Sequence, residues 1–153
     1  MREAVRFINR QARKFRRKYP LTLAFRLRAH SKILAKHLNP GEKIKYVFAA
    51  QKGTSSLDIV STYVVAITDK RIMIARKRFV FGYFFIAVTP DMFNDIKVKM
   101  GIIWAKVEID TIKEFIVLSN VQSSAAKEIE TAITQYVMKE KRKYLKKDDK
   151  KAC

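Results

Sequence analysis

The chain has 153 residues, 48% of them hydrophobic, and 33 basic against 14 acidic side chains give it a formal charge of +19. That length fits one domain able to bury a core without disulfides, and a single cysteine, Cys153, excludes an internal disulfide or a cysteine metal cluster. No apolar run approaches the ~20 residues of a membrane span, so a cytoplasmic protein is expected, peripheral at the inner face of a membrane if it meets one, and its charge calls for a polyanionic partner.

The charge is uneven: residues 1–38 hold 12 basic residues and one acidic. Residues 2–19 repeat apolar side chains at helical spacing. Ala4, Val5, Ile8, Ala12, Phe15 and Tyr19 fall on one arc, with Phe7 at its border, and Pro20 ends the segment. Arg6, Arg10, Arg13, Lys14, Arg16, Arg17 and Lys18 occupy the rest and form the first candidate anion-binding set. Two uses of the apolar side are open. Phe7, Ile8 and Phe15 either enter an acidic bilayer or dock on the protein's own domain or a second subunit. The cationic side suits membrane headgroups or nucleic-acid phosphates equally.

A second helix is expected over 21–38, capped by Thr22, with Leu23, Leu27, Leu34 and Leu38 on one face. "NPGE" then breaks the pattern. From Lys43 the period changes to two, and strands are predicted at about 43–51, 59–68, 71–78, 83–88, 93–99, 102–109 and 112–118. In "IIWAKVEI" the set Ile103, Ala105, Val107 and Ile109 alternates with Trp104, Lys106 and Glu108, and Asp110 and Thr111 form the turn that follows. Between the third and fourth strands, "ARKRFVFGYFF" sets Arg76, Lys77 and Arg78 beside Phe79, Phe81 and Tyr83. This second candidate site either presents its aromatics to lipid or bases, or buries them as strand residues in the core. After Asn120 an amphipathic helix returns, with Ser123 or Ser124 as cap and Ala126, Ile129, Ile133, Tyr136 and Val137 as its stripe. It is expected to fray into a basic tail from Lys139.

Three segments follow: a basic helical extension over 1–38 broken at Pro20, a domain over 39–138, and a polar tail over 139–153. The fold class is α+β, a seven-stranded antiparallel β-sandwich or barrel capped by a C-terminal helix. No chemistry is legible. His30 and His37 share a helical face without a cysteine or an acidic pair, and Ser55, Ser56, Ser61, Thr68, Ser123 and Ser124 lack a histidine partner in the sheet. No catalytic residue, metal ligand or cofactor is therefore expected.

The order of elements resembles the pleckstrin-homology (PH) layout. "LNPGEKIKYVFAA" (Leu38 to Ala50) is similar to the lead-in of bacterial PH domains, where Leu-x-x-Gly-Glu precedes the first strand. "YVVAITDKRIMIA" (Tyr63 to Ala75) resembles that family's second hairpin, with its Thr-[Asn/Asp]-Lys-Arg turn. "FFIAVTPDMFNDIKVKMGII" and "SSAAKEIETAI" resemble the next strand pair and the closing helix. The likeness is nearest to the YokE-like branch. It implies a non-enzymatic binding scaffold, often oligomeric. In PH domains that bind phosphoinositides the first hairpin loop is rich in Lys and Arg; here, in "QKGTSSLD", Lys52 is its one basic residue and Asp58 lies close by, which argues against such a pocket. The function expected is a non-catalytic module that engages an acidic membrane surface through the first helix. The alternatives are nucleic acid held by the same Arg and Lys face, and a homo-oligomeric scaffold, with an acidic protein as a further partner.

Overall fold

The computed structural model describes residues 1–53 and 61–152. Helices α1 (Arg2–Lys18) and α2 (Leu27–His37) precede seven strands: β1 (Ile44–Lys52), β2 (Thr62–Thr68), β3 (Ile72–Lys77), β4 (Tyr83–Val88), β5 (Phe93–Met100), β6 (Trp104–Thr111) and β7 (Phe115–Gln122). Helix α3 (Ser123–Lys151) closes the chain. The strands form one antiparallel sheet in the order β4-β3-β2-β1-β7-β6-β5. Among the described residues β1 pairs with β7 through Gln51↔Ser119 and Lys52↔Leu118 at its end, and the sheet forms a curled half-barrel. The predicted start of β2 and the loop serines Ser55 and Ser56 lie outside the described residues.

Two apolar layers flank the sheet. Phe48, Val65, Ile74, Ile109, Ile116 and Leu118 point inward, where Ile129, Ile133 and Val137 of α3 cover them. The opposite face of β1 to β3 carries Val47, Ala49, Val64, Ala66, Met73 and Ala75, and α1 and α2 cover that one with Ile8, Ala12, Leu27 and Leu34. β2 is consequently buried along its whole length. Three of the covered positions are alanine. Cover on both faces is why "TYVVAIT" and "IMIA" read as continuous apolar runs and not as alternation: a strand with both faces covered has no polar side to show.

The two motifs nearest the sheet's other end join in one buried clamp. Glu42 takes Arg71 Nε at 3.0 Å and Nη2 at 3.1 Å, the Thr68 hydroxyl at 2.6 Å and the Asn39 N–H at 3.0 Å. Burial pushes the Glu42 carboxyl up, but these donors outweigh it and hold it below the ordinary carboxylate range. Arg71 Nη2 also reaches the His37 carbonyl at 2.6 Å, tying the end of α2 to the β2–β3 hairpin.

Several local expectations change. α2 begins at Leu27, six residues later than predicted, because the segment before it bonds to the sheet. Leu23 N–H donates to the Asn120 carbonyl, Phe25 N–H to Thr62 Oγ1, and Thr22 is no helix cap but accepts the Gln122 N–H. Trp104 Nε1 donates to the Leu21 carbonyl at 2.8 Å, so the tryptophan pins this connector. Ile103 precedes β6 and is 48% exposed, unlike Ala105, Val107 and Ile109. The β6–β7 turn falls after Thr111, closed by Thr111 N–H on the Glu114 carbonyl. The C-terminal segment continues as helix to Lys151 where fraying was expected.

Candidate anion-binding face

α1 is built as the sequence implies, with Glu3 in its first turn and Arg16, Arg17 and Lys18 in its last, both favourable to the helix dipole. Its apolar stripe is spent inside the molecule: Ile8 and Ala12 are fully buried and Phe15 nearly so. Ile8 and Phe15 therefore dock and are not offered to a bilayer, because the sheet already covers them. Phe7 stays outward at 37% exposure, with Arg10 against its ring.

Docking sorts the eight basic residues of α1 by type. All six arginines, Arg2 with Arg6, Arg10, Arg13, Arg16 and Arg17, line the side toward α2. Both lysines face the other way, into a cleft with Tyr46 and Glu128. Lys18 leaves the candidate set, since it is paired with Glu128 at 2.6 Å. The same carboxylate accepts the Tyr46 hydroxyl at 2.9 Å and the Tyr19 hydroxyl, so this corner latches α1 to α3 and β1.

Across from the arginines, α2 supplies Arg28, Lys32 and Lys36 at intervals of four, hence on one helical face. The two helices enclose a trough in two adjoining stretches of about 990 and 940 Å³, which share Arg13, Arg17, Arg28 and Lys32. Its floor is partly apolar, from Val5, Ile33 and Leu27. Among the described residues no carboxylate lines either stretch and none of these cations is in an ion pair. Glu3, the one acidic residue of the two helices, lines a separate hollow with Arg6 and Arg10. Like charges four apart on a helix destabilise it by roughly 0.2–0.5 kcal/mol per pair. A face that keeps them so crowded fits an external anion. Sequence reasoning missed the α2 wall, although the spacing of Arg28, Lys32 and Lys36 was there to be read.

The trough ends at Arg26, which precedes α2 with a left-handed backbone, φ 52°. Beyond it stands the β3–β4 turn. Of the two readings of that segment, the structure displays its tip: the aromatics Phe79 and Phe81 are 66% and 82% exposed and Val80 between them 74%, while Tyr83, in β4, is 37% exposed. Arg76 lies over Tyr63 and Arg78 over Phe84, at 5.8 and 5.3 Å. His30 fastens α2 to the stem of this hairpin by accepting the Lys77 N–H on Nδ1 at 2.8 Å. Burial first, then the charges of Arg26 and Arg76, lower its pKa from 6.5 to about 4, so the ring is neutral at ordinary pH. His37 is instead stacked on Phe85 and bonded to the Tyr83 hydroxyl. Among the described residues no group of three or more His, Cys, Asp or Glu is placed to hold a metal ion, and no helix is long and apolar enough to cross a membrane.

The family model for "Bacterial PH domain" matches residues 38–135. Two solved structures are similar. The pleckstrin homology domain from Shewanella amazonensis SB2B is 12% identical, with 70% of this chain and 84% of that one covered and a TM-score of 0.47. A duf1696 family protein with a pleckstrin-homology domain from Shewanella loihica PV-4 is 11% identical, with 71% and 87% covered and a TM-score of 0.45. No curated protein matches the chain.

Proposed function

The chain belongs to the bacterial PH domain family, and from that premise we propose that it is a non-catalytic binding module whose α1–α2 arginine face docks on an anionic membrane surface. The observation that carries this reading is the trough itself: two helices align guanidinium and ammonium groups with no carboxylate between them. Each Lys or Arg held near an acidic lipid surface contributes on the order of 1 kcal/mol. Five engaged side chains would give roughly 5 kcal/mol before screening, enough for reversible recruitment. Because Ile8 and Phe15 are buried, α1 lies along the surface and does not enter the acyl layer.

A second reading, nucleic acid, is favoured by the sorting of arginine from lysine, since the guanidinium fork engages two phosphate oxygens at once. Co-sedimentation separates the two. Under the membrane reading, vesicles containing phosphatidylglycerol carry the protein down and pure phosphatidylcholine vesicles do not. The combined variant Arg13→Gln, Arg17→Gln, Arg28→Gln stays in solution, while Lys45→Gln, Lys70→Gln behaves as the parent. Binding to duplex or single-stranded fragments without any to acidic vesicles would replace the membrane reading with the nucleic-acid one.

A further inference from the structure

We infer that the β3–β4 tip, Phe79, Val80 and Phe81, is a wedge that enters the acyl boundary of the same bilayer, with Arg26, Arg76 and Arg78 as its headgroup collar. The inference rests on the membrane reading of the arginine face and adds a hydrophobic contact that electrostatics alone does not supply.

Three observations carry it. First, the tip is the wrong chemistry for a free turn. Short hairpin loops favour Gly, Asn and Asp, yet here three consecutive large apolar residues stand 66% or more exposed. Second, the tip stands on a stem that is paired to its end. β3 and β4 pair in register from Ile72↔Val88 up to Lys77↔Tyr83, the Arg78 N–H closes on the Gly82 carbonyl at 3.2 Å, and Gly82 takes the left-handed φ of +76° that the reversal needs. A stem already formed in the free protein leaves only the tip to be ordered on insertion. Third, the tip adjoins the trough. Arg26 lines the trough and also places its guanidinium 4.3 Å from the Phe79 ring centroid. One docking orientation therefore sets the cations at the phosphate level while aromatic and aliphatic side chains pass beneath them, the layering of an interfacial binder. The charge of the collar matches an acidic leaflet. Val80 has no face on which a base could stack, so the tip fits lipid better than single-stranded nucleic acid.

The test uses the full chain with Cys153→Ser and Val80→Cys carrying an environment-sensitive fluorophore, and a second label site at Lys70→Cys. With phosphatidylglycerol-containing vesicles the Val80 probe should shift to the blue and be quenched by lipids brominated near the top of the acyl chain, while the Lys70 probe stays aqueous. In parallel, Phe79→Ser, Phe81→Ser should retain binding at low salt but bind about tenfold or more weakly at moderate salt, where the parent's apolar contact persists. A Val80 probe that stays aqueous while the protein binds, or a double serine variant that binds like the parent at every salt concentration, overturns the wedge and leaves the arginine face standing. No binding to acidic vesicles overturns both. A blue shift with DNA or RNA and none with vesicles assigns the tip to stacking and also overturns the wedge.

Discussion

The Arg26 guanidinium sits 4.3 Å from the centroid of the Phe79 ring, and by that contact the end of the basic trough meets the apolar tip. Neither residue gains much for folding. An exposed cation–π pair contributes ~0.5–1 kcal/mol, and a left-handed backbone at a non-glycine residue costs ~1–2 kcal/mol. Arg26→Gly should therefore leave stability unchanged or raise it by up to about 1 kcal/mol. It should also weaken binding to acidic vesicles. Thermal melting beside a vesicle titration checks both; a clear loss of stability would show that Arg26 serves the fold.

The buried stripe of α1 makes a second forecast. Ile8 is inaccessible within a cluster that includes Ala12, Leu34, Val64 and Ala66. Ile8→Ala should cost about 2–4 kcal/mol in a denaturant titration. Removing residues 1–38 should bare Val47, Val64 and Met73 and yield a chain that aggregates. A soluble, cooperatively folding truncation would contradict the packing described for α1 and α2.

His30 gives a third, with a defined sign. Unfolded, a histidine takes up its proton near pH 6.5; in the fold it does so only at about pH 4. Between these values the unfolded chain binds more protons, so acid favours unfolding. The contribution is intact above pH 6.5 and is lost as pH falls toward 4, about 3 kcal/mol in all. Glu42 and Glu128, both held below the ordinary carboxylate range, lose their contributions only on further acidification. His30→Gln should make the stability profile shallower between pH 6.5 and 4 and leave the fall below it. The part of that window due to His37 should remain, since burial and the charges of Lys36 and Arg71 lower its pKa as well. A slope unchanged by that substitution would refute the neutral-histidine fastening.

Most strands and the closing helix were legible because period-two and period-3.6 patterns report burial directly, as in Ala105, Val107 and Ile109 or Ile129 and Ile133. The start of α2 was not. Leu21, Thr22 and Leu23 have adequate helix propensity, but Gln122, Asn120 and Thr62 claim their neighbourhood's hydrogen bonds, and those partners lie 37 to 101 residues away in sequence. The arginine wall of α1 was visible as half of a site. The spacing of Arg28, Lys32 and Lys36 marked the other half, but that the two halves face each other needed the docking of both helices on one sheet face, which no local pattern encodes. The same holds for Lys18, whose neutralising partner Glu128 is 110 residues distant. For Phe79 and Phe81 the sequence offered core or display without a means of choosing, since alternation is lost at a turn.

The central claim is that the trough between α1 and α2 is a receptor for a negatively charged lipid surface. Its most direct test is a binding titration of the intact chain against vesicles of rising phosphatidylglycerol content, repeated with Arg13→Glu, Arg17→Glu. The parent should bind more tightly by an order of magnitude or more across that series, and the charge-reversed variant, folded by its melting curve, should show no rise. Equal binding by both proteins, or an affinity indifferent to acidic lipid, would contradict it.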